Sequence, residues 1–185
     1  MENIMERASQ YHRPVIARMG KRTTADYNER FRYFSELCAG MVNDMSDIVQ
    51  ENILGEHRNV INKIIRRCHK FCLEERIGSH YVEVGAEGKI DFEHLIPVTD
   101  LVWALFLGKL SAEEVCNAPT VALTNAKHRE LKEAGWADRT PSIGLPFERY
   151  RCLGDLRIQT YDGREIDPET WTIKDHYDYF GNLFK

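Results

Sequence analysis

A chain of 185 residues, 43% of them hydrophobic, suits one packed domain, or a core domain with an extension. The charged fraction of 29% is ordinary for a soluble protein, and a net charge of −4 provides no overall basic field to draw the chain to nucleic acid, although basic residues cluster at Arg13–Arg22 and Lys63–Lys70. Five cysteines without a regular framework argue for reduced thiols, the polar start MENIMERASQ is no signal peptide, and the longest apolar run, Leu101–Leu107, is too short to span a bilayer; the expectation is a cytoplasmic protein with no membrane contact.

Residues 1–23 mix charge with small apolar residues around Pro14 and read as an arm or a short helix. From Thr24 to Glu51, Tyr27, Phe31, Phe34, Leu37, Met41 and Met45 recur at spacings of three and four, which predicts a helix with one core face and Thr24 available as its cap. Asn52–Arg76 repeats the pattern through Val60, Ile61, Ile64, Ile65, Cys68, Phe71 and Cys72, and Gly78 ends it. The two helices are expected to pair, joined near Gly55.

From His80 the period shortens. HYVEV, a GAEG turn and Lys89–Val98 predict a β-hairpin ending at His94 and Pro97. Thr99-Asp100 is placed to cap a helix over Leu101–Leu107, and SAEE at 111–114 is a capping box for another short helix. Thr120–Thr124 reads as a strand. Thr124 or Asn125 then caps a helix to Glu133, with Gly135 beyond it. Residues 140–147 form a loop, Arg149–Thr160 a strand, Asp162-Gly163 a hairpin turn, and Glu165–Ile173 a return strand weakened by Pro168. The aromatic tail DHYDYFGNLF is expected to dock on the body, with the DHYD segment solvated. The predicted fold is α+β and helix-rich: an N-terminal helical region over 1–78, a central unit over 79–136, and a C-terminal hairpin and tail over 137–185.

Within 91–135 the residues Glu93-His94-Leu95-Ile96-Pro97, then Asn117, the strand TVALT, and His128 early in the next helix resemble the HNH, or ββα-metal, endonuclease superfamily. That family writes Asp-His-x-x-Pro, a long loop, an Asn, a short strand, and a helix whose early His completes the site. The resemblance implies a central ββα-metal unit with one divalent cation, Mg²⁺ or Mn²⁺. It casts His94 as the base, Glu93 in place of the metal-binding Asp, His128 as the helix-borne ligand, and Asn117 as the residue that holds the loop or orients His94. Hydrolysing a phosphodiester needs both a base for water and a cation for the charge that builds on phosphate. The implied substrate is DNA, with RNA second, in a phage or mobile-element setting, a host cytoplasm included. Glu for Asp lengthens the arm, which keeps Asp91 and Asp100 as alternative ligands. The interval from Asn117 to His128 is long for the family, which keeps Asn125 as a rival for the Asn role. Neighbours on an ideal strand point to opposite faces, so Glu93 and His94 share a site only if the strand bends there.

The competing expectation is a non-enzymatic module that offers its helical pair and aromatic tail to a protein partner, with His94 and His128 as ordinary histidines. Cys68 and Cys72 form one C-x-x-x-C pair whose zinc partners would have to be the isolated Cys116 and Cys152. Both also fit an apolar face, so buried thiols without zinc are expected.

Overall fold

The computed structural model describes residues 22–43, 51–137 and 142–185. Expectations for 1–21, for Met45 at the end of its helical stripe, and for Thr140 at the start of its loop fall outside them. The described chain is a mixed α+β fold of seven α-helices and a five-stranded sheet, about 54% helical. Among the described residues no helix is long and apolar enough to cross a membrane.

Helix α1 (Thr24–Asn43) buries Phe31, Ser35 and Cys38, one stripe at spacings of four and three. Its capping box sits one residue earlier than expected: Thr23 N–H donates to Asp26 Oδ2 at 2.9 Å, and Asp26 N–H donates to Thr23 Oγ1 at 3.3 Å. Helix α2 (Glu51–Cys68) contains Gly55 in its interior, so Gly55 is not the connection between the helices. Ile61, Ile64, Ile65 and Cys68 are buried on it. It runs on through a π-helical turn, His69–Glu74, into α3 (Glu75–Ile77). The buried residues of this turn, His69, Cys72 and Leu73, continue the stripe of Ile61, Ile64, Ile65 and Cys68 at spacings of three and four. Gly78, at φ 77, makes the left-handed exit that a residue with a Cβ resists.

The strands are β1 (Tyr81–Glu83), β2 (Ile90–His94), β3 (Thr120–Thr124), β4 (Ile158–Thr160) and β5 (Glu165–Ile166), in the order β2-β3-β1-β4-β5. The hairpin expected between β1 and β2 does not form. β3 lies between them, parallel to β1 (Tyr81↔Val121) and antiparallel to β2 (Phe92↔Ala122). Burial decides this: Thr120, Val121 and Leu123 are fully covered, so β3 takes an interior position, whereas β2 carries Asp91 and Glu93 and takes the edge.

Helix α4 (Val98–Phe106) starts before Thr99-Asp100, not after it. Pro97 is its N-cap, and the Pro97 carbonyl accepts from Asp100 and Leu101 N–H. Ser111 closes the capping box of α5 (Ala112–Cys116), and Thr124 caps α6 (Asn125–Glu133) by accepting from Lys127 N–H. The first part of the strand expected over Arg149–Thr160 is instead a 3₁₀ turn, Glu148–Leu153. Arg149 and Tyr150 are both buried on this turn, and Gly154 at φ 63 then redirects the chain. Only Ile158–Thr160 extends. It pairs with β5 (Ile158↔Ile166) and with β1 (Tyr81↔Thr160), so a single sheet runs through both the central and the C-terminal segments. Helix α7 (Ile173–Phe180) packs on the body. The segment expected to be solvated is divided: His176 is fully buried, Asp175 caps through Thr172, and Asp178 pairs with Lys174 at the surface. Beyond α7, Phe184 stacks on Phe31 with ring centres 4.2 Å apart.

A buried polar chain joins α7 to the sheet, and its proton positions can be read from it. His176 Nε2–H donates to the Asn117 carbonyl at 2.8 Å, so His176 Nδ1 accepts from Tyr81 O–H at 2.9 Å, and Trp171 Nε1–H donates to that hydroxyl at 2.8 Å. Asn117 Nδ2–H donates to the Phe180 carbonyl at 3.1 Å, which leaves Asn117 Oδ1 to accept from His80 Nε2–H at 3.0 Å. His80 Nδ1 then accepts from Thr120, 3.0 Å from its Oγ1. Every member needs neutral imidazoles. Burial pushes His176 down to about 3, holds His80 well below 6.5, and takes His69, on the π turn, to about 4.

This has a consequence for acid stability. A histidine with a depressed folded pKa binds its proton first in the unfolded chain, so its contribution is intact above 6.5 and falls away as pH drops from there toward the folded value. Going from pH 7.5 to 5.0 should remove about 2 kcal/mol per histidine, about 6 for His69, His80 and His176 together. Urea unfolding at the two pH values measures it; a loss under about 1 kcal/mol would mean that these rings are solvated or already charged.

Candidate functional site

Strand β2 lays Asp91 and Glu93 on one face, two residues apart, and the first turn of α6 lies against that face. Asn125 and His128, three residues apart, share a side of α6 and meet the two acids in matching pairs. With its amide turned to donate, Asn125 binds both Asp91 oxygens, 3.0 Å from Oδ1. Glu93 Oε1 lies 2.5 Å from His128 Nδ1. That nitrogen is buried and has no hydrogen-bond partner, so the carboxylate stands off the line of a donated N–H. The pair therefore presents an oxygen and a nitrogen side by side. Glu93 is 16% exposed and His128 33%, so both side chains are partly covered and their contact lies just beneath the surface.

Arg149, 2% exposed, closes the inner side of the site. Its Nη2 donates to Glu93 Oε2 at 3.3 Å, to the His94 carbonyl at 2.5 Å and to the Tyr150 hydroxyl at 2.7 Å. Its Nη1 donates to the carbonyls of Trp136 at 3.3 Å and Ala137 at 2.6 Å. One guanidinium thus ties the end of β2, the chain after α6, and the 3₁₀ turn together, and it leaves Glu93 Oε1 free for His128. The sequence reading missed Arg149, and a buried arginine carries no local signal.

The structure brings Glu93 and His128 together but does not bring the His94 ring to them. β2 keeps its ladder with β3 through His94↔Thr120, without the bend that would put neighbours on one side. His94 accordingly points to the other face, its ring 5.5 Å from Phe92 and 5.0 Å from His69. Its Nε2 is buried without a partner. Burial holds it down to about 2, with His69, Arg66 and Arg149 adding to the effect, so the ring is neutral and binds a proton weakly. Asn117 holds the loop before β3 through its links to His80, His176 and Phe180, and makes no contact with His94. Asp100 stands in the first turn of α4; burial raises its carboxyl and the charge of Arg149 lowers it.

Cys68 and Cys72 are buried on the α2–π helix, and burial pushes the Cys68 thiol well above its usual range. Cys38 and Cys116 are buried beside them, their sulfurs 4.0 Å apart, while Cys152 is exposed on the 3₁₀ turn. Among the described residues no group of three or more His, Cys, Asp or Glu is arranged to hold a metal ion, so a cation at Glu93 and His128 would have two protein ligands. The chain matches no protein-family model, no curated protein and no solved structure.

Replacing Arg149 by Met should strand three buried carbonyls and the Glu93 carboxylate, a loss of about 3–5 kcal/mol. Arg149→Lys, which keeps the charge without the fork, should lose less. Chemical denaturation of both variants is the check; a Met variant within about 1 kcal/mol of the parent would show that the fork is dispensable.

Proposed function

We propose that this chain is a metal-dependent endonuclease of HNH type that hydrolyses phosphodiester bonds in DNA, with RNA the second substrate. The observation that supports the reading is the meeting of Glu93 and His128, an acidic oxygen and an unpartnered imidazole nitrogen set side by side by two antiparallel strands and the helix that follows them. In this reading β2, β3 and α6 are the ββα-metal unit. The donor types suit Mg²⁺ or Mn²⁺, which commonly take one or two carboxylates and complete their shell with water and phosphate oxygens. The cation, when bound, neutralises charge on the phosphate and the leaving oxygen. Asp91, two residues along the same face, has both oxygens held by Asn125, which leaves Glu93 as the carboxylate of the site. Arg149 keeps Glu93 turned toward His128. The resemblance gives the proton of the attacking water to His94, last on edge strand β2, whose ring would have to turn from the face of Phe92 and His69 to reach that water. A nucleic acid strand passing over the end of β2 would meet Glu93 on one side and His94 on the other.

A second reading is a binding module built on the same frame, with a protein partner. Two observations favour it: His94 is packed on the far face of the strand, and Arg149 already supplies Glu93 with a cation.

Nicking of supercoiled plasmid with Mg²⁺ or Mn²⁺, with and without EDTA, separates the two. The enzyme reading expects EDTA-sensitive nicking. His94→Ala should reduce it about 10²–10⁴-fold with metal affinity nearly intact, because only the proton acceptor is lost. His128→Ala should weaken metal binding, so excess Mn²⁺ restores part of its activity and none of that of His94→Ala. Thermal melts control for folding. Absence of nicking on DNA and RNA at every metal concentration would leave the binding module as the reading.

A further inference from the structure

The interior holds two imidazole nitrogens that lack partners on neighbouring rings. His69 is fully buried on the π turn, and its Nε2 lies 3.1 Å from the Val115 carbonyl. A carbonyl only accepts, so Nε2 carries the hydrogen and His69 Nδ1 is a bare lone pair. That Nδ1 is buried and unpartnered. The ring next to it is His94, centres 5.0 Å apart and planes tilted by 32°, and His94 Nε2 is likewise buried and unpartnered. A buried acceptor without a donor costs about 1–3 kcal/mol, and these two nitrogens belong to neighbouring rings. A hydrogen on His94 Nε2 would make that atom a donor beside the His69 lone pair, for one bridging water to link the two without adding charge.

We propose that His69 is a positioning residue that holds His94 in its Nε2–H form and so leaves Nδ1 of His94 as the proton acceptor. The inference rests on the endonuclease reading for its use in catalysis, but the hydrogen position is a property of the folded chain whether or not it cuts. His69 sits on the π turn and is buried there with Cys72 and Leu73.

The test is ¹⁵N-detected NMR of the histidine side chains in the full chain at pH 7.5. In the parent protein His94 should show a single neutral form with its hydrogen on Nε2, and His69 the same form. His69→Phe removes the acceptor and leaves a buried N–H facing an apolar ring, so the hydrogen of His94 should move largely to Nδ1. His69→Asn puts a carbonyl oxygen near the place of the lost Nδ1 and should return it to Nε2, although it loses the bond to Val115. A merely structural role for His69 would lower stability in both variants and leave the hydrogen where it was. If the parent nicks DNA, His69→Phe should lower the rate about 10–100-fold with metal affinity unchanged, and His69→Asn should recover part of it. His94 protonated at Nδ1 in the parent protein, or an unchanged hydrogen position in His69→Phe, overturns the proposal. Should His69→Phe not fold, the parent and Asn spectra still decide it. A parent that fails to nick while showing the expected form overturns the endonuclease reading alone.

Discussion

The constraint on which the rest of the structure depends is the full satisfaction of one asparagine. Asn117 is buried where the loop after α5 enters β3, and its side chain and carbonyl are bonded to His80, Phe180 and His176. Those three partners come from the start of β1 and from α7, elements far apart in the chain. Remove the asparagine and the sheet loses the register cue that sets β3 beside β1, and the last helix loses its anchor. Buried polar networks of this kind are costly when half satisfied, so they reject alternative packings as firmly as they stabilise the right one. The apolar clusters on either side supply most of the folding free energy. The network supplies uniqueness.

How much of this was legible in the sequence follows from the range of each interaction. The helices α1 and α2 were readable because Phe31 and Cys38, or Ile61 and Ile65, lie within a few turns of one another. The TVALT strand and the Ser111 and Thr124 caps were readable for the same reason. The π turn was not, because its buried residues, His69, Cys72 and Leu73, keep the spacing of an ordinary α-helical stripe. The position of β3 between β1 and β2 was not, because periodicity shows which residues face a core and never which strand lies alongside. At Arg149–Leu153 the misreading was of another kind: alternating polar and apolar letters suggested a strand, but the arginine itself is interior.

The site divides along the same line. Glu93 and His128 were singled out by the resemblance of their motif to the HNH superfamily, and the fold sets the two side chains 2.5 Å apart. The face taken by His94 follows from a ladder that stays regular to its last residue. Arg149 and His69 have no signature of their own. Each matters through a carbonyl or a lone pair that it meets only in the folded chain, and each shapes a neighbour in the proposed site: Arg149 turns Glu93, and His69 faces His94.

The order in which the sheet is stitched together has a consequence for the life of the chain during synthesis. β1 pairs with β4 nearly 80 positions later (Tyr81↔Thr160), and α7 must arrive before Asn117 and Tyr81 have all their partners. Such distant pairings make for slow folding, because the loops between them must close before any contact rewards the closure. A ribosome-bound chain that has emerged only as far as α6 therefore already contains Glu93, His94 and His128, yet lacks Arg149, β4 and the closing helix. A fragment cut short by premature termination would carry Glu93 and His128 without the guanidinium that bonds Glu93 and without the helix that anchors Asn117.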